Sequence, residues 1–506
     1  MTLPRSRRAF LRSTAGAGAL AGLGELGFLS RLQPVSAAEA RIEPRRVRLD
    51  RGIEPLVTLL EETPRERLLE EVGARLKRGL SYRELLTALF LAAVRNIQPR
   101  PIGFKFHAVL VIHAAHLASL SASDSDRWLP LFWALDQFKS SQAADVKEGD
   151  WNLGPVEESA VPAPHRARQA FIDAMENWDE SAADTAITGL VRSAGAHEIF
   201  ELLCRYGVRD FREIGHKAIY IANSFRALET IGWHHAEPVL RSVVYALLDR
   251  VDDKARGNPA TLDLPADRPF RRNLENRKAL RSDWMEGKPD PDATVELLHA
   301  VRQGSAAEIS ELTVRLLNRG AHPQSIFNGI HAGAGELLMQ APGILSLHAT
   351  TFTNAVHYAW HHIRDDDTKR LLLLQNAAFL PLFRGNSKDK GIRLEQLEPE
   401  PTKGSVAVDD IFAQLGKDRL LGARQVLALL RDGRDPRILA DAARRLIFLK
   451  GRDAHDYKFS SAVFEDFHQI DSPWRERVLA ASMFYLRTAT DSDNPLVQRT
   501  RAALGA

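Results

Sequence analysis

The fold class follows from a pattern that is clearest in residues 81–94, which read SYRELLTALFLAAV. Ser81 with Glu84 three residues later forms a capping box, which satisfies the free backbone N–H groups at a helix start. Leu85 and Leu89 then recur at the spacing of one helix face. This stretch therefore predicts an amphipathic helix whose first turn is marked in the sequence.

The same helical spacing of apolar residues continues along most of the chain after residue 40, and alternating strand patterns are scarce. We therefore predict an all-α fold: one large irregular helical domain over residues 41–506, with a histidine-lined interior site. Polar stretches near 251–290 and 385–405 are predicted loops or points of subdivision. The main predicted helical runs are residues 104–120, 126–140, 165–178, 181–194, 197–206, 211–230, 236–250, 292–303, 306–319, 324–340, 344–363, 367–383, 418–432, 436–450, 458–469 and 473–488.

Residues 1–40 have a composition that is typical of an export signal. Residues 6–12 read SRRAFLR, a twin-arginine pattern, and a weakly apolar stretch rich in Gly and Ala follows at residues 13–29. Ala38-Glu39-Ala40 then supplies a cleavage site of the small-x-small type. We predict a twin-arginine signal peptide, so the chain would meet the twin-arginine translocase during export and work in the periplasm or outside the cell. A disordered basic N-terminus is the alternative.

The net charge of the chain is concentrated in the same forty residues. Of 68 basic and 65 acidic side chains, five arginines and two glutamates lie in residues 1–40, which leaves 63 of each sign in residues 41–506. A neutral protein is a poor partner for nucleic acid or an anionic membrane. No apolar run after residue 40 is long enough to span a bilayer, so we expect no stable membrane insertion.

The chain contains seventeen histidines and one cysteine, and these counts limit the kinds of site that it can form. The lone Cys204 excludes a disulfide within the chain and any cysteine-based zinc or iron–sulfur site. The sequence contains no phosphate loop, dinucleotide fingerprint, nucleophile elbow or H-E-x-x-H zinc helix. Several histidines instead lie inside apolar helical runs, where a buried imidazole needs a hydrogen bond or a metal ion.

The first histidine group lies in residues 104–117, which read FKFHAVLVIHAAHL. His113 and His116 are three residues apart and share one helix face, a normal spacing for two ligands to one ion. His107 lies nine residues before His116 and faces the other way on a straight helix. It joins such a site only if the helix begins after it or is distorted. The alternative is that all three are core histidines bonded to backbone carbonyls.

Two further histidines have neighbours that indicate burial. His216 follows a glycine and opens an apolar helical turn, and His348 lies among small and apolar residues. Both are candidate metal ligands. Tyr220 and Tyr358 are candidate catalytic side chains and, with Trp360, candidate substrate-pocket residues, while core packing is the alternative for all three.

Two later groups complete the set. His357 and His361 are an i,i+4 pair that could bind an ion, although their place near a helix C-terminus explains them without a ligand. Lys458 follows His455 by three residues, one helical turn, and Asp453 precedes them both.

Taken in chain order, these groups resemble the questin oxidase-like family, helical proteins with members that oxidise aromatic polyketides. The resemblance covers about residues 100–460. Its matching pieces are the histidine cluster from Phe106-His107 to His116, the run GHKAIY at 215–220, the run LHAT at 347–350, and a D-x-H-x-x-K pattern at 453–458.

The resemblance implies a mononuclear non-haem iron held by histidines from separate helices, with the late lysine near the metal. It leaves open whether that lysine is carboxylated, and whether His113 takes the place of His107. Carried onto this chain, the metal site would be drawn from His107, His113, His116, His216, His348 and Lys458.

The sequence thus predicts an exported oxygenase or oxidase that depends on a non-haem metal, with iron expected and zinc or copper as alternatives. Its partners would be O₂ and a small hydrophobic or aromatic organic substrate. Two other functions remain open at this point: a helical binding protein whose histidines are structural, and a zinc-dependent hydrolase.

Overall fold

The computed structural model describes residues 46–250, 257–401 and 406–505, and the predicted signal peptide at residues 1–40 lies outside these ranges. Within them the chain is helical, with no strand and one isolated bridge between Lys288 and Ala321. The predicted all-α fold is confirmed. Residues Arg45–Ala506 form one compact unit. No helix of the described part has both the length and the apolar character that crossing a membrane requires.

The helices follow one another along the chain through connections of very different length. In the described part up to residue 250 they are α1 (Glu54–Glu62), α2 (Arg65–Lys77), α3 (Tyr82–Asn96), α4 (His107–Leu110), α5 (Ile112–Leu120), α6 (Leu129–Glu148), α7 (Pro164–Glu176), α8 (Glu180–Ser193), α9 (Ala196–Gly207), α10 (His216–Ile231) and α11 (Ala236–Leu247).

The second half of the described chain contains twelve further α-helices. They are α12 (Arg268–Asn276), α13 (Pro291–Val301), α14 (Ala306–Arg319), α15 (Pro323–Gln340), α16 (Ile344–His362), α17 (Asp366–Arg384), α18 (Val408–Gln414), α19 (Arg419–Arg431), α20 (Arg437–Lys450), α21 (Ala454–Gln469), α22 (Trp474–Ser482) and α23 (Leu496–Leu504).

The predicted helical run over residues 104–120 is divided into three pieces. A 3₁₀ turn at Phe104–Phe106 leads into α4, which begins at His107, and α5 begins two residues after α4 ends. His107 is therefore the first residue of its helix rather than part of one straight helix with His116.

The predicted run at 458–469 begins four residues earlier than expected, at Ala454. The reason is a capping box: the Asp453 carboxylate accepts the backbone N–H of His455 at 2.8 Å, and the Asp456 carboxylate accepts the Asp453 N–H at 3.2 Å. This early start brings His455 into the first turn of α21.

Helix α16 lies at the centre of the fold and is buried over nearly its whole length. A helix that is buried all round belongs to the core of a large protein. It packs against α10, α15, α17 and α21. Together with α4, three of these helices close a ring, because α4 contacts α10, α10 contacts α16, α16 contacts α21, and α21 contacts α4.

The turn that leads into α10 has a strained backbone. Glu213 and Ile214 have φ values of 52° and 45°, and Gly215 has a φ of 83°. A Cβ atom at Gly215 would lie 2.6 Å from the Phe352 ring on α16, so only glycine fits there. Such strain persists only where the surrounding structure enforces it, and here it fixes the position of His216.

Buried ion pairs anchor the same turn. Asp210 contacts the Lys217 ammonium at 2.8 Å and the Arg212 guanidinium at 3.3 Å, and Arg212 also pairs with Asp267. Burial lowers the pKa of Lys217 and the Asp210 charge opposes that shift. The network holds the chain on both sides of His216.

We expect Asp210→Ala to lower the free energy of unfolding by about 3–5 kcal/mol, because it leaves the Lys217 charge buried without its partner. Urea denaturation followed by circular dichroism measures this change. Asp263→Ala is the matched control, since it removes a carboxylate from an exposed pair with Arg268 and should change stability little. Equal effects of the two substitutions would contradict the assignment.

Candidate metal centre

Four imidazoles meet inside the ring of α4, α10, α16 and α21. Their candidate ligand nitrogens all lie within 4.8 Å of one another, and we call this set the four-histidine cluster: His107, His216, His348 and His455. The Nε2 atom of His216 lies 3.1 Å from Nε2 of His107 and 2.8 Å from Nε2 of His348. The predicted histidine-lined interior site is present.

The outward-facing nitrogen of three of these rings is bound to the backbone. In each case Nδ1 contacts a carbonyl oxygen three or four residues earlier in the chain. The distances are 2.9 Å from His107 to Phe104, 2.7 Å from His216 to Glu213, and 2.7 Å from His348 to Ile344. A carbonyl oxygen only accepts, so Nδ1 carries the hydrogen and Nε2 presents a lone pair to the interior.

The fourth ring is held by a carboxylate. Nδ1 of His455 lies 2.6 Å from the Asp453 carboxylate, which also caps α21. Nε2 of His455 has no hydrogen-bond partner among the described residues. All four imidazoles are therefore oriented by an outer contact, the arrangement by which proteins fix the tautomer of a metal-binding histidine.

The electrostatics of the cluster keep three of its imidazoles, those of His107, His216 and His348, neutral. Burial is the largest cause that lowers the pKa of His107, His216 and His348 well below the usual histidine value, and the nearby Lys458 charge lowers them further. Neutral imidazole is the form that binds a metal ion. Facing lone pairs at 2.8 Å and 3.1 Å repel each other unless a cation lies between them.

Lys458 lies one turn after His455 on α21 and is buried. Its Nζ has no hydrogen-bond partner in the described part of the chain, and burial lowers its pKa to about 7. A buried amine without a partner is costly, which marks this side chain as part of an incomplete polar site.

These residues fit a metal ion on their donor chemistry. The four-histidine cluster supplies four nitrogens, each with an outer hydrogen bond, and an unpaired amine lies close by. Such a donor set suits iron, copper or zinc and not calcium or magnesium, which prefer oxygen. The four histidines could hold a metal ion.

Two of the predicted ligands lie elsewhere. His113 and His116 are on α5, beyond the break that follows α4. His116 Nδ1 contacts the Tyr82 hydroxyl at 3.1 Å, and His113 lines a cavity that Lys458 also borders. The backbone at Val111, between α4 and α5, keeps right-handed helical angles, so His113 and His116, six and nine residues after His107, do not share the face that His107 presents to the cluster.

The two predicted catalytic tyrosines also have other contacts. Tyr220 donates its hydroxyl hydrogen to Ser242 Oγ at 2.9 Å. The Tyr358 ring packs beneath the Arg226 guanidinium, 4.0 Å from the ring centroid. Trp360 packs edge-on against Phe327. None of these three side chains is among the ligand groups of the four-histidine cluster.

Sequence reasoning did not include His455 among the ligands. The signal that could have found it is local: Asp453 is an N-cap residue, and a histidine two residues later falls in the first turn, within reach of the cap carboxylate.

Comparison of the chain with protein-family models, with curated proteins and with solved structures finds no match.

We expect Zn²⁺ to stabilise the metal-free protein by about 2.7 kcal/mol at a free concentration about 100 times its dissociation constant. Thermal unfolding at fixed Zn²⁺ measures the effect. His216→Ala should remove most of it, because it deletes the ligand that contacts two others. His362→Ala is the control, since that exposed ring contacts the carbonyl and the ring of Tyr358 and is not part of the four-histidine cluster. A wild type that Zn²⁺ does not stabilise would refute the site.

Proposed function

We propose that the chain is an oxidoreductase that uses O₂ and a non-haem iron held by the four-histidine cluster. The observation that carries the proposal is the geometry of that cluster: four imidazoles, each held by an outer contact, have their ligand nitrogens within 4.8 Å of one another. When bound, the ion would supply the ability to bind and activate O₂. The chain's own groups hold it, orient it and limit access to it.

The choice of iron and O₂ rests on two supports. An all-nitrogen donor set suits a redox metal with imidazole ligands. The sequence also resembles the questin oxidase-like family over the segments that contain His107, His216, His348 and Lys458. Zinc and copper fit the same donors, and metal analysis of the purified protein separates them from iron.

Access to the cluster is expected on the side of His107, which is the one ligand that is partly exposed. Gly103 borders this side. A Cβ atom at Gly103 would lie 3.8 Å from Cε1 of His107 and 3.9 Å from Cε1 of His216. The missing side chain leaves room next to the two rings, where a substrate could approach.

The surroundings of this side favour a hydrophobic substrate. Phe104 is 79% exposed, Ile344 48% and Leu345 44%. The carbonyls of Phe104 and Ile344 accept the Nδ1–H groups of His107 and His348, so the backbone that carries these two exposed side chains lies beside the cluster. Exposed apolar groups next to a site are typical of binding surfaces. We propose a small hydrophobic or aromatic organic substrate, and export by the twin-arginine route.

We expect protein produced by native export, without an affinity tag, to contain iron and to consume O₂ with phenols or hydroquinones. An oxygen electrode and metal analysis measure both. His348→Ala should lose both properties and His362→Ala neither. Less than about 0.2 metal per chain, a cutoff guided by folding-linked metal loading, together with no O₂ uptake, would refute the proposal. Zinc with O₂-independent hydrolysis would favour the hydrolase.

We further propose that Lys458 completes the donor set after its amine adds CO₂, which gives a carbamate anion and releases one proton. The buried, unpaired Nζ supports this role.

Metal retention during dialysis should then fall when CO₂ is removed from wild-type protein. Lys458→Met should retain metal weakly whether or not CO₂ is present. Lys417→Met, at an exposed lysine, should retain metal as the wild type does. If the wild-type protein retains the same amount of metal with and without CO₂, the carbamate is excluded.

A further inference from the structure

A second group of histidines forms a line rather than a cluster. Nε2 of His361 lies 3.0 Å from Nε2 of His357, and Nδ1 of His357 lies 3.0 Å from Nε2 of His331. Nδ1 of His331 then lies 3.6 Å from Oδ2 of Asp466. We call these four residues, from His361 to Asp466, the histidine line.

The two ends of the histidine line have different environments. His361 is exposed, whereas His357, His331 and Asp466 are buried, with His357 stacked on Phe327 at 3.9 Å. Oδ2 of Asp466 has no hydrogen-bond partner among the described residues. The line therefore connects solvent with a carboxyl group in the core.

The contacts of His357 differ from those of a metal ligand. Both of its nitrogens contact other imidazoles, whereas each ring of the four-histidine cluster has one nitrogen tied to the chain. A neutral imidazole has one donor and one acceptor nitrogen. A row of such rings can satisfy every contact in two ways, with all the hydrogens directed inward or all directed outward.

We propose that the histidine line is a proton relay between solvent and the Asp466 carboxyl group. A proton from water binds Nδ1 of His361, whose Nε2–H proton passes to Nε2 of His357. The Nδ1–H proton of His357 passes to Nε2 of His331, whose Nδ1–H proton passes to the Asp466 carboxylate. Each ring gains one proton and loses one, so the net result is one proton moved from water to Asp466.

The inner end of the relay leads toward the metal centre. Oδ1 of Asp466 accepts a hydrogen bond from Asn354 Nδ2 at 2.8 Å, and the same nitrogen contacts Glu465 at 2.8 Å. Asn354 and Glu465 line an internal cavity that Lys458 borders. About 20 Å³ of it is open to a molecule the size of water, enough for about one water.

The surrounding charges agree with an uncharged line whose proton rests on the carboxyl group. Burial raises the pKa of Asp466 well above its usual range, with Glu465 adding to the rise and Arg226 opposing it. Burial lowers the pKa of His331 to about 3, and burial is also the largest cause that lowers the pKa of His357 well below its usual value. At the outer end burial again lowers the pKa of His361, assisted by the charges of His362 and Lys369.

The value of such a relay rests on the proposed function, since reduction of O₂ consumes protons that a buried site must receive from solvent. The relay itself needs neither metal nor substrate. Its test is therefore independent of the oxygen chemistry. A protein that exchanges the Asp466 proton rapidly but consumes no O₂ would contradict only the proposed function, and a protein that consumes O₂ but exchanges this proton slowly would contradict only the relay.

The test follows hydrogen–deuterium exchange of the Asp466 carboxyl group by infrared spectroscopy, in protein with ¹³C-labelled aspartate. We expect a carboxylic acid band at neutral pH that Asp466→Asn removes. In D₂O this band should shift rapidly in wild-type protein. In His357→Phe, which keeps an aromatic ring against Phe327, the shift should slow by about 100-fold, the usual effect of removing a positioned proton-transfer group.

Two further variants complete the experiment. His361→Phe interrupts the relay at its exposed end, where folding is not at risk, and should slow exchange as well. His362→Phe is the matched control and should leave the rate unchanged, because that ring contacts Tyr358 outside the line. The proposal is overturned if no band depends on Asp466, or if His357→Phe and His361→Phe exchange as fast as wild type.

Discussion

The candidate site depends on one constraint: the Nδ1–H group of each ligand histidine is already bound to an oxygen of its own segment. Three of the oxygens are backbone carbonyls just before or within a helix start, and the fourth is the Asp453 carboxylate. An imidazole held in this way cannot turn its lone pair elsewhere. The strained turn before His216 and the capping box before His455 both serve to keep these contacts.

The sequence predicted the helical class and most helix positions, because apolar spacing and caps are local signals. It predicted less about the site. His107, His216 and His348 were among the candidates, but His113 and His116 lie outside the cluster. The backbone at Val111 keeps helical angles, so residues six and nine positions after His107 point to other sides, and a single sequence does not show which of these sides meets the other helices.

The two histidine groups differ in what the second nitrogen of each ring contacts, and this difference underlies the two roles proposed for them. In the four-histidine cluster each ring has one nitrogen tied to the chain and one directed to a common point, which suits a cation. In the histidine line, His357 has both nitrogens in contact with other rings, which suits transfer of hydrogen along the row. Spacing alone did not distinguish these cases, since the difference lies in the partner of the second nitrogen.

The origin of the ligands on four separate helices has a consequence for the order of assembly. The first and last, His107 and His455, are separated by most of the described chain. A partly synthesised chain therefore holds at most three of them, and none is brought near another by local structure alone. The four nitrogens come together only once the core around α16 has formed, so metal uptake at this site would be a late event that reports the finished tertiary structure.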